Sequence, residues 1–239
     1  MPQASRGDLR VSLKIDPGSA LQFETVNAYV TVLNYDGTDD FIIDSDQAEN
    51  KARVSFVVER KRDEPVRRIN DSPVLKKMKV APGERQDFVT DISLYYDMTA
   101  VGRYTIKAVI EAGGIQYESN PVLLDIVRGI DVCSVTRGVA GYSEQTRNYT
   151  LRYWARNKKE YLFLCVDEDS GKTSYGVFLL GPVIRVIKPI LDVARDGGVK
   201  VLHQVSPDCF VHSRFESNAD GVFFVDQSYR DSDGAPYRR

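Results

Sequence analysis

Cysteine, histidine and tryptophan are scarce in this chain. Its 239 residues include three cysteines, two histidines and a single tryptophan. Three cysteines permit at most one internal disulfide and leave one thiol over, which argues against a scaffold built on disulfides. We expect Cys133, Cys165 and Cys209 to be small buried core residues, and the alternative is a bridge between Cys165 and Cys209.

Neither sign of charge predominates, and no long apolar run is present. The 32 lysines and arginines oppose 34 aspartates and glutamates, so the net charge is −2 and no basic field is available to attract nucleic acid. A membrane-spanning helix needs ~20 apolar residues, and the longest apolar region, residues 177–187, is interrupted by Gly181, Pro182 and Arg185. We therefore expect no nucleic-acid partner and no transmembrane segment.

The first residues lack the apolar segment of a signal peptide. Met1 is followed by Pro2, Gln3, Ala4 and Ser5, which form no h-region. The chain is therefore expected to be either cytosolic or a mature secreted protein whose leader is absent from the sequence. We favour a secreted, periplasmic or cell-envelope location and keep a cytoplasmic one as the alternative.

The motifs of common enzyme classes are missing. The sequence has no Gly-x-Ser-x-Gly elbow, no phosphate-binding glycine loop and no dinucleotide fingerprint. His203 and His212 lie near Asp208 and Cys209, which leaves a zinc site or a hydrolase as a distant hypothesis, but no tight metal-ligand spacing accompanies them. We therefore expect a noncatalytic protein without a cofactor.

Alternating apolar and polar residues predict β-strands through the first half. Leu9, Val11, Leu13 and Ile15 alternate with polar residues, and a Gly113-Gly114 turn separates two later candidates. Tyr104 follows Gly102 at the start of a strand, the layout of a tyrosine corner, in which the phenol bonds back across the corner of a two-sheet sandwich. The predicted strands cover residues 9–15, 26–32, 52–59, 75–80, 86–94, 103–111, 115–118 and 122–127.

Residues 8–128 resemble a bacterial immunoglobulin-like or fibronectin type III-like domain. Such families often have a Pro-Gly-Glu turn, here at residues 82–84, then a strand, an Asp-x-Gly-x-Tyr corner and a hairpin into the last strand. Ala100 stands where that corner has its Asp, and Asp97 is the nearby substitute. Ile106 stands where antibody domains have a cysteine, and Trp154 lies outside this region. The resemblance therefore implies fibronectin-like packing without an intersheet disulfide.

The second half predicts a second all-β domain over residues 129–227, followed by a flexible tail over 228–239. Short turns separate its strand candidates, which favours an antiparallel meander or sandwich. Pro182 and Pro189 bracket one of these strands, and since proline cannot donate to a ladder, we expect an edge or a crossing between sheets there. The predicted strands cover residues 131–136, 146–155, 160–166, 174–180, 183–187, 190–195, 199–204, 209–215 and 221–226.

Acidic residues cluster in one turn-rich stretch of the first half. Oxygen ligands that converge from loops are what Ca²⁺ requires, so Asp36, Asp39 and Asp40 are candidate calcium ligands. The apolar residues 41–43 interrupt the cluster, and it does not fit the twelve-residue Ca²⁺ loop. Solvated turns are the default interpretation, and we predict no bound metal.

Aromatic residues concentrate around residues 149–175. Trp154, Tyr149 and Tyr153 are candidate ligand-binding residues, because an exposed row of rings on a sheet can stack against sugars. Aromatic residues on strands are also normal core residues. The leading functional hypothesis is a noncatalytic structural or protein-interaction module of a cell envelope or secreted assembly, and the alternative is a carbohydrate-binding module that uses these rings.

Overall fold

β-Strands account for nearly all regular structure of the chain. The computed structural model describes residues 9–35, 38–45, 52–61, 64–139, 142–168 and 173–237. Contacts divide the chain into two units, Met1–Val127 and Arg128–Arg239, and the one helical element among the described residues is a single 3₁₀ turn. The predicted all-β fold of more than one domain is confirmed. None of the described residues forms a helix of the length and apolar character needed to cross a membrane.

The first unit contains eleven described strands and the 3₁₀ turn. Most strands show the inside–outside alternation that the sequence predicted; Leu9, Val11 and Ile15 are buried while Arg10 and Ser12 are exposed. The elements are β1 (Leu9–Asp16), β2 (Ser19–Leu21), β3 (Asn27–Asn34), β4 (Phe41–Asp44), β5 (Arg53–Arg60), β6 (Glu64–Pro65), β7 (Lys77–Val80), β8 (Arg85–Asp91), the 3₁₀ turn (Ile92–Leu94), β9 (Gly102–Ala112), β10 (Ile115–Glu118) and β11 (Val122–Val127).

Two main sheets of the first unit share one core. One sheet has the order β1-β3-β8, and the other has the order β2-β11-β9-β5-β6 with β10 paired to β9. Buried side chains from both sheets, such as Val30 on β3 and Ile106 on β9, belong to a single apolar cluster. A two-stranded sheet of β4 and β7 completes the described part of the unit. This layering fits a β-sandwich.

The hydrogen bond expected of a tyrosine corner is present. Tyr104 is fully buried, and its hydroxyl donates to the carbonyl oxygen of Ala100 at 2.6 Å. Asp97, the expected substitute for the missing corner Asp, instead accepts from the Thr99 hydroxyl at 2.6 Å. The phenol of Tyr104 therefore fixes the segment that leads into β9.

Removing this phenol should have a moderate cost. The substitution Tyr104→Phe is expected to lower the free energy of unfolding of the first unit by about 1 kcal/mol, the net worth of one hydrogen bond. Urea unfolding followed by far-UV circular dichroism measures this change. Tyr29→Phe is the matched control, because Tyr29 is 39% exposed on β3. An equal loss in both variants would contradict a special role for the corner.

A second tyrosine closes the open edge of β5. β9 pairs with one side of β5, whereas β6 pairs with the other side only at Glu59 and Arg60. At Phe56, the backbone N–H donates to the Tyr96 hydroxyl at 3.1 Å, and that hydroxyl donates to the Phe56 carbonyl. The two rings also meet edge to face, with centroids 6.5 Å apart. The Tyr96 hydroxyl is thus the hydrogen-bond partner of both backbone groups of Phe56, at a point where β5 has no neighbouring described strand on that side.

The second unit contains eight described strands in two sheets. Within each sheet, every strand after the first pairs with the strand that precedes it in the chain. They run β12-β13-β14-β15 in one sheet and β16-β17-β18-β19 in the other, all antiparallel. The strands are β12 (Ile130–Val139), β13 (Tyr142–Arg156), β14 (Lys159–Glu168), β15 (Ser174–Pro182), β16 (Ile190–Val193), β17 (Gly198–Ser206), β18 (Cys209–Asn218) and β19 (Gly221–Arg230).

Both meanders contribute to one core. Leu151 and Leu164 from the first sheet and Val201 and Phe215 from the second are buried in the same apolar cluster. The antiparallel meander or sandwich predicted for this half is confirmed, because two antiparallel meanders pack on one shared core. The final residues are not wholly without structure, since the backbone N–H of Tyr237 donates to the Tyr229 carbonyl at 3.0 Å.

The predicted strand over residues 183–187 is wrong. This segment is irregular and connects β15 of one sheet to β16 of the other, which is the crossing that the two flanking prolines indicated. The N–H groups of Val183 and Ile184 donate to the carbonyls of Glu160 and Gln204, both at 3.0 Å. These bonds reach separate strands of different sheets, so the segment cannot continue either ladder.

Candidate interaction surface

The candidate calcium residues do not form a described metal site. Asp36 lies outside the described residues. Asp40 pairs with Lys79 at 2.7 Å, and this contact raises the pKa of the Lys79 ammonium. The side chain of Asp39 accepts from the Thr38 hydroxyl at 3.4 Å. Within the described ranges, no three histidine, cysteine or acidic side chains come together in a way that would hold a metal ion.

The candidate aromatic residues do not form an exposed row. Tyr149 and Tyr153 are only 2% and 8% exposed. The Tyr149 hydroxyl donates to Ser217 Oγ at 2.6 Å, and the guanidinium of Arg185 lies over the Tyr153 ring at 4.4 Å. Trp154 points to the opposite face of β13, with its indole N–H buried. The two tyrosine rings therefore belong to the core and present no face to a sugar.

The two histidines lie on opposite faces of their sheet. His203 is opposite Val211 in the pairing of β17 with β18, whereas His212 is opposite Leu202. The side chain of His203 faces the core and is 2% exposed, while Asp208 is an exposed turn residue that accepts from Ser206 at 3.0 Å. The idea that the two imidazoles and Asp208 form one catalytic or zinc site is therefore wrong.

Burial changes the protonation chemistry of His203. Neither of its ring nitrogens has a hydrogen-bond partner in the described part of the chain. Burial lowers the pKa of the imidazole to about 4, and the nearby Pro182 carbonyl opposes only part of this shift. His203 is consequently a neutral core residue at neutral pH.

All three cysteines are thiols. Burial raises the pKa of Cys165 to about 12, and burial also raises the pKa of Cys133. Because the thiolate is the reactive form, neither residue is activated as a nucleophile. Cys165 and Cys209 are buried as expected, whereas Cys133 is only partly buried, so the expectation of a core position is wrong for Cys133. The alternative, a bridge between Cys165 and Cys209, is not formed.

Sequence reasoning missed a buried arginine at one end of the second core. Arg147 is fully buried, and its Nη1 donates to Ser217 Oγ at 2.7 Å and to the Gly221 carbonyl at 2.9 Å. Its guanidinium also lies over the Tyr175 ring at 4.0 Å. The available signal was its place in the alternation with Tyr149, which sets both side chains on the core face of β13. The guanidinium is closed to solvent, and its Nε and Nη2 have no hydrogen-bond partner among the described residues.

A cleft in the first unit has charged groups of both signs. It has a volume of about 440 Å³, and the buried Val54 and Val74 are among the residues that line it. Its other lining residues include Arg53, Asp71 and Glu111. Because the lining contains both cationic and anionic groups, the cleft favours neither an anionic nor a cationic ligand.

The segment between β15 and β16 exposes aliphatic side chains on a fixed base. Val186 is 77% exposed and Ile187 is 49% exposed, while Val183 is buried. The base is held by the backbone bonds of Val183 and Ile184 and by Arg185, whose Nε lies 2.6 Å from the Glu160 carboxylate. Ile190, the first residue of β16, is 57% exposed. We call Val186, Ile187 and Ile190 the connector tip.

The last strand of the chain exposes apolar side chains on both of its faces. β19 is the outer strand of its sheet. Phe223, Phe224 and Val225 are consecutive and are 49%, 55% and 44% exposed. Val225 is the extra residue of a β-bulge, because Phe215 and Arg214 of β18 pair with Phe224 and Asp226. We call Phe223, Phe224 and Val225 the edge patch.

Comparisons with known proteins leave the chain without a family. No family model matches, and no curated protein matches. One of the solved structures to which the chain is similar is the sporulation control protein Spo0M from Bacillus subtilis, with 13% sequence identity, a TM-score of 0.31 and coverage of 95% of this chain and 91% of that one. A similarity at this TM-score carries no argument about fold or function.

Proposed function

We propose that this chain is a noncatalytic protein-interaction module that binds a protein partner through the connector tip. The observation that carries the proposal is the 77% exposure of Val186 beside the half-exposed Ile187. Large aliphatic residues on an ordered loop that a sheet holds in place are typical of a contact surface. Burying them in a partner removes this apolar area from water, which favours association.

The charged groups below the tip support recognition of a protein. Arg185 is paired with Glu160 and stacked on Tyr153, so its charge is already compensated. A partner that covers Val186 and Ile187 therefore does not have to desolvate an uncompensated arginine at that position. An apolar centre with a polar rim is the usual composition of a protein interface.

The architecture proposed for the first unit is immunoglobulin-like or fibronectin type III-like. The Tyr104 to Ala100 hydrogen bond supports this proposal, as does the apolar core that two sheets share. Tandem β-sandwiches commonly present loops and strand edges to other proteins. A cell envelope or a secreted assembly is the setting that we propose, and fractionation of the source cells tests it.

The carbohydrate-binding alternative needs an exposed row of rings, and Tyr149 and Tyr153 do not provide one because they are core residues. We therefore put forward no second function for the aromatic residues of β13.

A site-specific photo-crosslink tests the proposed function. A photo-reactive phenylalanine analogue is placed at Val186, and irradiation in the source cells is followed by mass spectrometry. We expect one recurrent protein to be captured from this position. The matched control carries the analogue at Leu94, which is 60% exposed in the first unit.

The captured protein is then purified and its affinity is measured directly. Replacing Val186 and Ile187 together by serine should weaken binding by about tenfold or more, because central apolar residues supply most of the affinity of an interface. Equal capture from positions 186 and 94, or an unchanged affinity of the serine variant, would contradict the proposal.

A further inference from the structure

The outer edge of β19 is not paired with another described strand over most of its length. The N–H of Tyr237 donates to the Tyr229 carbonyl, and Arg230 forms an isolated bridge with Pro236, so the described residues cover the end of the strand. Nearer its middle, the Gln227 side chain donates to the Leu180 carbonyl of β15 at 2.8 Å, but no described backbone pairing covers this part. No described strand pairs with the outer side of residues 222–228. Edge backbone groups of this kind are ready to pair with another strand.

The other outer strands of the second unit carry the usual protections. β16 has four residues, β15 ends at Pro182, and β12 contains Arg137 and two register irregularities. β19 is ten residues long and has neither lysine nor proline. Of its two charged residues, Asp226 is paired with Arg214 and Arg230 lies at the covered end, so the bulge at Val225 is its main protecting device.

The charge of this strand favours a copy of itself as the occupant. Asp226 is the only charged residue between Gly221 and Ser228, and both of its carboxylate oxygens accept from the guanidinium of Arg214. Two copies that approach edge to edge therefore bring together compensated carboxylates and apolar side chains. No repulsion between uncompensated charges on the two strands opposes this approach.

We propose that two copies of this chain associate through antiparallel pairing of β19 with β19, with the two-fold axis within the edge patch. Antiparallel pairing of identical strands is compatible with two-fold symmetry, so the same residues serve both sides. The eight strands from two second-unit sheets then form one continuous sheet, and Phe223 to Val225 of one copy face the same residues of the other. This inference goes beyond the proposed function, because it uses a surface other than the connector tip.

The oligomeric state of the full chain in solution tests the proposal. Sedimentation equilibrium over a range of protein concentrations should show a monomer and a dimer. Val225→Lys should weaken dimerisation by at least about tenfold, because two lysines then meet near the two-fold axis. The matched control is Val89→Lys on β8, the outer strand of a sheet in the first unit, where Val89 is 55% exposed.

Hydrogen exchange locates the contact. The backbone amides of residues 222–228 should exchange more slowly as the concentration of the wild-type chain rises, and this protection should be absent in Val225→Lys. A chain that stays monomeric up to about the millimolar range, where even weak specific association becomes visible, overturns the proposal. A dimer that Val225→Lys leaves intact also overturns it.

Different experimental results reject the connector-tip proposal and the strand-pairing proposal. Loss of the dimer with an unchanged crosslink from position 186 rejects only the strand pairing. Loss of the crosslink with an intact dimer rejects only the connector tip. Binding of an extended segment of another protein at β19, with no self-association, would also reject the second copy as its occupant.

Discussion

Lowering the pH from 7 to 4 should destabilise the second unit by about 3 kcal/mol through His203 alone. Burial lowers the pKa of this imidazole in the folded chain to about 4, against an ordinary value of 6.5. Between these two values, the unfolded chain binds a proton that the folded chain does not. The contribution of His203 is therefore complete above about pH 6.5 and is lost as the pH falls towards 4.

The single tryptophan makes this measurement selective. Trp154 lies in the second unit, so its fluorescence during urea unfolding follows that unit. The variant His203→Leu should show a smaller loss of stability on acidification than the wild type. Asp167 acts in the opposite direction, since burial raises its carboxyl pKa, but it does so equally in both proteins. Identical pH profiles for the wild type and His203→Leu would refute the expectation.

Tyr96→Phe should lower the free energy of unfolding of the first unit by about 3 kcal/mol. The substitution leaves both the N–H and the carbonyl of Phe56 without their buried partner, and an unsatisfied buried polar group costs about 1–3 kcal/mol. The expected loss exceeds that of Tyr104→Phe, because the Tyr96 hydroxyl serves a donor and an acceptor at the same time.

Amide hydrogen exchange on β5 and β9 measures the effect of Tyr96→Phe, because these strands exchange by opening of the unit's core. The neighbouring substitution Tyr95→Phe is the control, since the Tyr95 hydroxyl makes only a long contact of 3.4 Å with the Pro73 carbonyl. If the two variants lose equal protection, the Tyr96 hydroxyl does not stabilise the strand edge as inferred.

Local sequence patterns predicted strands best where turn residues mark their ends. The strands at Ile115–Glu118 and Val122–Val127 have the bounds that were expected, because a Gly-Gly turn and an Asn-Pro pair mark their ends. β2, β4 and β6 were missed. They have two to four residues, which is too short for alternation to show, and β2 and β4 also depend on partners distant in the sequence.

The candidate surfaces were harder to predict than the strands. Residues 183–187 are rich in β-branched residues, so local preference predicted a strand, but hydrogen bonds to two sheets hold the segment in another conformation. No local sequence pattern predicts the exposure of Val186, because an apolar run in a sequence is normally a core segment. Alternation alone places Tyr149 and Tyr153 on one face of their strand, but only the tertiary structure fixes that face as the buried one.

The connectivity of the two units has a consequence for their synthesis on the ribosome. In the first unit, β2 near the start pairs in parallel with β11 at the end, so that sheet is incomplete until the last strand has emerged. In the second unit, each sheet consists of four successive strands, and its contacts close over short stretches of chain. Nascent hairpins of the second unit can therefore form in order of emergence, whereas the first unit has to wait for a long-range closure.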